Sequence, residues 1–157
     1  MKTRRSWREK MDNPDLPKIV PVLPRLRARF GESGMLVPSP REVDACIRQV
    51  PAGQVTTAGR IREFLARKHQ AAVTCPLTTG IFIRIAAEAA EEDRAAGRNP
   101  VTPYWRVVKE DGSLYDKFPG GVQRQLEMLR AEGHRFVASG RGRPPKVLME
   151  EGRTWAG

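Results

Sequence analysis

The segment that decides the fold is Ser39-Pro-Arg-Glu-Val-Asp-Ala-Cys-Ile-Arg-Gln-Val-Pro-Ala-Gly-Gln-Val-Thr-Thr57. Ser39 is a good N-cap, Pro40 suits the first helical position, and Glu42 stands three residues after the serine. This capping box marks the start of a helix. Apolar residues then recur at helical spacing: Val43, Cys46, Ile47 and Val50. Pro51 ends the helix.

Two more helices are predicted to follow. The second begins at Thr56 or Thr57, which can each cap it, and an apolar face comes next: Ala58, Ile61 and Leu65. Residues 69–77 are predicted to be a loop. The third helix runs over about 79–96, and its predicted buried stripe is Ile81, Phe82, Ile85, Ala86 and Ala89. Its C-terminal half is acidic, so only its N-terminal end suits contact with phosphate.

The rest of the chain predicts an extended run over 102–109, a turn at Asp111-Gly112 and a fourth helix over 122–131. Residues 135–138 and 146–149 are predicted to be the strands of a hairpin whose tip is 140–145. The expected fold class is mainly α with a small β component, in a winged helix-turn-helix arrangement.

The chain divides into three parts by composition. Residues 1–38 are a basic, proline-interrupted arm, with a short helix near Ser6–Met11 and extended chain after it. We expect Trp7 to hold this arm to the body. Residues 39–136 form the winged-helix body, and residues 137–157 form a basic hairpin or tail.

The net charge of +10 is concentrated at the two ends of the chain. Residues 1–30 carry +6 and residues 135–157 carry +3, whereas the middle carries +1. Basic ends around a near-neutral body favour double-stranded DNA as the partner. Basic termini that only aid solubility, and an acidic membrane surface, are the alternatives.

Several classes of protein are not indicated. No run of 18 apolar residues predicts a membrane span, and no apolar segment follows the basic start as in a secretory signal. The two cysteines, Cys46 and Cys75, are too few for a disulfide scaffold, and no Cys/His cluster predicts a metal. We expect no cofactor, no metal and a cytoplasmic protein.

Three stretches, in order, resemble the DNA-binding domain of the methylated-DNA–protein cysteine methyltransferases. Residues 50–57 are similar to the family's turn into its helix-turn-helix. Asn99-Pro100, with Pro103-Tyr-Trp-Arg-Val-Val108, is similar to the segment that holds the active-site P-C-H-R-V. Residues 120–133 are similar to the helix after it.

In that family a cysteine thiolate, assisted by a histidine and a glutamate, removes the alkyl group from guanine O6 after the base is flipped out. Tyr104 stands at the cysteine position, Trp105 at the histidine position and Glu132 at the glutamate position. A phenol of pKa about 10 is a poor nucleophile at neutral pH, and an indole has no basic nitrogen. We therefore expect no enzyme activity and a hydrogen-bonding role for Glu132. The resemblance is to the alkyltransferase-like branch, which also lacks the cysteine and flags alkylated guanine for nucleotide excision repair.

The resemblance and the charge together indicate which residues contact DNA. The expected DNA-binding residues are Thr56, Thr57, Arg60, Thr78, Thr79, Gly80, Arg84, Asn99, Arg106, Arg141 and Arg143. Ala58 replaces the family's nucleotide-rotating tyrosine, and the third helix lacks the expected arginine near Gly80. Tyr104, Trp105 and Phe118 are expected to line a lesion pocket, or else to be ordinary core aromatics.

Other residues leave alternatives open. Residues 140–146 resemble an AT-hook, or form only the tip of a basic hairpin. Cys46 is predicted to be a core residue and His134 a surface residue. Cys75 is the remaining candidate nucleophile, with His69 as the only base near it in sequence. The alternative functions are a winged-helix DNA-binding regulator without lesion recognition and a protein-interaction module on the same scaffold.

Overall fold

A computed structural model describes residues 3–157, and within them five α-helices surround a core bordered by short strands. The elements are β1 (Lys18–Val20), α1 (Pro24–Phe30), β2 (Met35–Val37), α2 (Pro40–Arg48), β3 (Thr56–Thr57), α3 (Ala58–His69), β4 (Val73–Thr74), α4 (Pro76–Ala95), β5 (Val107–Val108), α5 (Gly121–Ala131), β6 (Phe136–Val137) and β7 (Lys146–Val147). Two 3-10 turns cover Glu9–Met11 and Tyr104–Arg106. The predicted fold class, mainly α with a small β component, is confirmed. The winged arrangement stays a prediction.

The capping box at the start of α2 is confirmed. The Ser39 hydroxyl accepts the Glu42 backbone N–H at 3.1 Å, and the Glu42 carboxylate accepts the Ser39 N–H at 3.4 Å. Val43 and Ile47 are fully buried, and so is Cys46. Burial raises the pKa of the Cys46 thiol to about 12, so this cysteine is an unreactive core residue, as predicted.

Helices α2, α3 and α4 pack together to form the main core. Thr57 caps α3, as expected, and Ile61 and Leu65 are buried. Helix α4 begins earlier than predicted, at Pro76, because proline is well tolerated in the first turn. The predicted loop over 69–77 therefore contains β4 and the start of α4.

The predicted stripe of α4 was wrong at its edges. Ile81 is 48% exposed and Ile85 is only half-buried, whereas Ile83 and Ala87 are buried. The periodicity of the sequence allowed two neighbouring faces, and packing against α2 and α3 selected the second.

The expectation of extended chain after the first helix was wrong over Pro24–Phe30, which form α1. On either side of α1 the chain is extended: β1 pairs antiparallel with β2, and β2 pairs parallel with β4, with Leu36 opposite Thr74. Val22, Met35 and Cys75 form a second, small core beneath α1. The short helix expected near residues 6–11 is the 3-10 turn Glu9–Met11. The expected attachment of Trp7 is confirmed, because its backbone N–H donates to Glu92 on α4 at 2.7 Å.

The C-terminal hairpin is present, with strands shorter than predicted. β6 and β7 are antiparallel, with Phe136 opposite Val147. The hairpin docks on the turn at Asp111-Gly112, where the Val147 N–H donates to the Gly112 carbonyl at 2.9 Å. A Cβ atom at Gly112 would lie 2.5 Å from the Val147 carbonyl oxygen, so this close approach requires glycine. Part of the expected extended run is instead the 3-10 turn Tyr104–Arg106, and only β5 pairs, in parallel with β3.

His134 was predicted to be a surface residue and is 4% exposed. Neither ring nitrogen has a hydrogen-bond partner among residues 3–157. Burial lowers the pKa of His134, and the positive charge of Arg153 lowers it further. The folded protein therefore favours the neutral form of this imidazole more than the unfolded chain does.

This burial predicts that acid destabilises the protein through His134. The unfolded chain binds a proton at a pKa of about 6.5, above that of the folded state, so the free energy of unfolding falls as pH drops below about 6.5. Urea unfolding at pH 7.5 and 5.5 measures this. His134→Leu should show a smaller loss of stability between the two pH values than the wild type. An equal loss in both proteins would contradict the assignment.

Candidate nucleic-acid interface

Three threonines expected to contact DNA lie inside the protein, which corrects the sequence prediction. Thr56 is fully buried and donates its hydroxyl to the Trp155 carbonyl at 3.0 Å. Thr57 is buried as the cap of α3, and the Thr79 hydroxyl donates to the Cys75 carbonyl at 2.7 Å. These hydroxyls satisfy internal backbone groups and are removed from the candidate interface. Thr78 is half-buried and also bonds Cys75.

The start of α3 is closed to phosphate by an acid of the chain itself. The Glu110 carboxylate accepts the Gly59 N–H at 2.8 Å, and a Cβ atom at Gly59 would lie 2.7 Å from it. Carboxylates are stabilised at helix N-termini in the way a bound anion is. Arg60, in the same turn, is half-buried, so the first turn of α3 is a weak candidate for DNA contact.

The first turns of α4 present an exposed apolar face rimmed by cations, which we call the α4 face. Leu77 is 70% exposed and Ile81 is 48% exposed. They line a cleft of about 600 Å³ whose other residues are Trp7, Lys10, Pro76, Gly80, Arg84, Ile85 and Lys117. Sequence reasoning found Gly80 and Arg84 but missed Leu77. The available signal was the spacing of Leu77 and Ile81, four residues apart on one helix.

The cations of the α4 face are held close to its aromatic residue. The Lys10 ammonium lies 4.0 Å from the centre of the Trp7 ring, and the Arg84 guanidinium lies 5.9 Å from it. A cation at this distance from an aromatic ring is attracted by the negative face of the ring. The α4 face therefore combines exposed apolar residues with a positive rim, two of whose cations lie near the Trp7 ring.

A smaller pocket of about 160 Å³ adjoins the α4 face. It is lined by Gly80, Ile83, Arg84, Tyr115, Lys117 and Phe118. The Tyr115 and Phe118 rings are stacked, with centroids 4.5 Å apart. Of the three aromatics expected at a lesion pocket, Phe118 lines this one.

Tyr104, at the expected position of the nucleophile, is a core residue. It is fully buried, and its hydroxyl donates to the Glu91 carboxylate at 2.6 Å. Burial raises the pKa of the phenol and the hydrogen bond to Glu91 raises it further, so the hydroxyl stays protonated. Its ring meets Phe118 edge-on, 5.5 Å away.

Trp105 and Arg106 are held by the one carboxylate of Glu132. The Trp105 indole N–H donates to Glu132, and Arg106 forms an ion pair with it at 2.9 Å. Arg106 also donates to the Val50 carbonyl at 2.7 Å. The hydrogen-bonding role expected for Glu132 is present, and Arg106 is structural where a DNA contact was expected.

The remaining predicted residues lie at two other places. Asn99, Trp105 and Arg106 line a separate cleft near the C-terminal end of α4, about 25 Å along the helix from Leu77. Arg141 and Arg143 are exposed on the tip between β6 and β7. Cys75 is buried in the second core.

Within residues 3–157 no cluster of three or more His, Cys, Asp or Glu side chains is arranged to hold a metal, and no helix is long and apolar enough to cross a membrane.

No protein-family model matches this chain, and no curated protein sequence matches it. Among solved structures it is similar to S. pombe Atl1 in complex with damaged DNA that contains O6-carboxymethylguanine. The two are 19% identical with a TM-score of 0.48, over 74% of this chain and 93% of that chain.

The buried Tyr104 hydroxyl predicts a measurable contribution to stability. Tyr104→Phe should lower the free energy of unfolding by about 1–2 kcal/mol, because Glu91 loses a charge-assisted bond in a part-buried place. Urea denaturation measures the loss. Tyr115→Phe removes the same group from a half-buried tyrosine outside the Glu91 network and should change stability less. Equal effects would refute the assignment.

Proposed function

We propose that this protein is a non-catalytic, alkyltransferase-like DNA-binding protein that recognises O6-alkylguanine in duplex DNA. The observation that carries the proposal is the α4 face, where exposed Leu77 and Ile81 are rimmed by Lys10, Arg84 and Lys117. The three ordered sequence stretches that resemble the methylated-DNA–protein cysteine methyltransferases support it.

The chemistry of the α4 face suits a minor groove. Proteins that bind there pair cations with phosphates and press apolar side chains such as Leu and Ile against base steps. Gly80 lines the same cleft as the two aliphatic side chains, and the open space beside its Cα leaves room for close approach. The acidic residues of α4 lie in its other half, where Glu91 and Glu92 accept internal donors. The N-terminal half is thus free of the charge that would repel phosphate.

The pocket beside Phe118 supports recognition of a base. It opens next to the α4 face, and its stacked aromatic floor suits a flat, apolar-edged group. Stacking of a base on an aromatic side chain is worth roughly 1–3 kcal/mol. A flipped guanine with its alkyl substituent is the ligand that this pocket would take.

The residue at the expected position of the alkyl acceptor, Tyr104, supports binding without repair. A buried, protonated Tyr104 is no nucleophile, and Trp105 offers no base to activate one. A lesion bound in this way would remain in the DNA, so the proposal includes nucleotide excision repair proteins as the partners that act next. The protein would meet them on chromosomal DNA in the cytoplasm.

A second candidate is a DNA-binding regulator without lesion recognition. The observation in its favour is that the buried Tyr104 ring packs edge-on against Phe118 and that the pocket beside Phe118 is small, about 160 Å³. Ala58, at the position of the family's nucleotide-rotating tyrosine, also favours it.

Binding to two fluorescent duplexes separates the candidates. We expect tighter binding to a duplex with one O6-methylguanine than to the same duplex undamaged. Raising salt from about 50 to 200 mM should weaken both, because phosphate contacts release counterions. Equal, salt-sensitive affinities would select the regulator. Absence of duplex binding at low salt would overturn both candidates.

Introducing a negative charge on the α4 face tests where DNA binds. Leu77→Asp, with Ile81→Asp as a second variant, should weaken duplex binding by about tenfold or more, since an exposed acid there repels phosphate. Ile19→Asp is the matched control, because Ile19 is 52% exposed on β1, away from α4. Fluorescence anisotropy measures affinity and circular dichroism checks folding. Equal losses in all three variants would place DNA elsewhere.

A further inference from the structure

The second cleft, at the C-terminal end of α4, has a composition unlike that of the α4 face. It measures about 420 Å³ and is lined by Arg48, Arg94, Asn99, Pro100, Val101, Pro103, Trp105 and Arg106. We call it the Trp105 cleft. Its floor is apolar, since two prolines and a valine lie beside the half-buried indole. Three arginines come from three parts of the chain, the ends of α2 and α4 and the 3-10 turn.

Each arginine has an acidic partner that is turned inward. Arg48 bonds Asp44 at 3.0 Å, and the exposed fractions of the two side chains are 42% and 16%. Arg94 bonds Glu91 at 3.3 Å, with exposed fractions of 39% and 22%. The cations therefore reach further into solvent than the acids that balance them.

The acids are also engaged by internal donors. The Thr102 hydroxyl donates to Asp44 at 2.5 Å, and the Tyr104 hydroxyl donates to Glu91 at 2.6 Å. Arg48 and Arg94 bond their acids through Nε, and a guanidinium has four more N–H donors. The Trp105 cleft thus presents positive charge although its formal charges are balanced.

The geometry distinguishes between possible anionic ligands. The guanidinium of Arg94 lies 6.0 Å from the centre of the Trp105 ring, and that of Arg106 lies 5.6 Å from it. These cations lie near the faces of the Trp105 indole, where they compete with any nucleobase that would stack on it. A carboxylate, in contrast, can bond directly to the N–H groups of a guanidinium. A cleft of this volume, with an apolar floor, accommodates one or two side chains of a peptide.

We propose that the Trp105 cleft is a docking site for an acidic segment of a partner protein. A carboxylate of that segment binds Arg48 and Arg94, and an adjacent apolar side chain packs on Pro103 and Trp105. The site lies about 25 Å along α4 from Leu77, at the other end of the helix from the α4 face. The inference is independent of which DNA the protein binds.

A labelled peptide tests the docking site. The probe is a fluorescein-labelled peptide of four Glu-Glu-Leu repeats, and anisotropy at about 150 mM salt measures its affinity. Arg48→Ala/Arg94→Ala should raise Kd by about tenfold or more. Arg25→Ala/Arg29→Ala removes the same charge from exposed positions on α1 and should change Kd little. Arg48→Lys/Arg94→Lys keeps the charge without the fork and should give a smaller loss than alanine.

The position of the bound peptide is read from the indole N–H signals of Trp7, Trp105 and Trp155 by NMR. We expect the Trp105 signal to shift the most. Duplex binding by the Arg48→Ala/Arg94→Ala protein should stay within about twofold of wild type, which separates this proposal from the DNA-binding one. Equal weakening in the α1 control, no shift at Trp105, or no peptide binding would each overturn the docking site.

Discussion

The rest of the structure depends on the carboxylate of Glu91, which joins α4, the 3-10 turn Tyr104–Arg106 and α5. It accepts the Tyr104 hydroxyl at 2.6 Å and the Arg124 guanidinium at 3.1 Å, and so ties α4 to the 3-10 turn and to α5. Bonds between charged groups and buried donors are worth more than neutral ones, and a buried hydroxyl left without a partner is costly. This arrangement holds Tyr104 in the core.

The same helix keeps two surfaces apart. In its C-terminal half the acids of α4 accept internal donors, including the Trp7 backbone N–H bonded to Glu92. In its N-terminal half Leu77 and Ile81 are exposed beside lysine and arginine. Because α4 is 20 residues long, about 30 Å separates its ends. The α4 face and the Trp105 cleft are therefore far enough apart to suit two partners of different chemistry.

The neighbours of Glu132 decide what this acid does in the structure. Glu132 receives an indole N–H and pairs with Arg106, and the ion pair is 14–16% exposed. Charges that are removed from water in this way need an opposite charge close by, and Glu132 and Arg106 supply one to each other. The acid then holds the 3-10 turn against the end of α5. Its role in this structure is architectural.

The sequence by itself determined the features that depend on neighbours in the chain. The capping box at Ser39, a threonine cap at Thr56 or Thr57, the turn at Asp111-Gly112, α5 and the hairpin all follow from bonds or periodicity spanning a few residues. Tertiary structure alone decided that Thr56 bonds Trp155, 99 residues away, that Ile81 is exposed, that β2 pairs with β4 and that His134 is buried. Local pattern restricts a residue to a few faces or partners. Only packing between distant segments selects one of them, because burial and long-range pairing are properties of the assembled core.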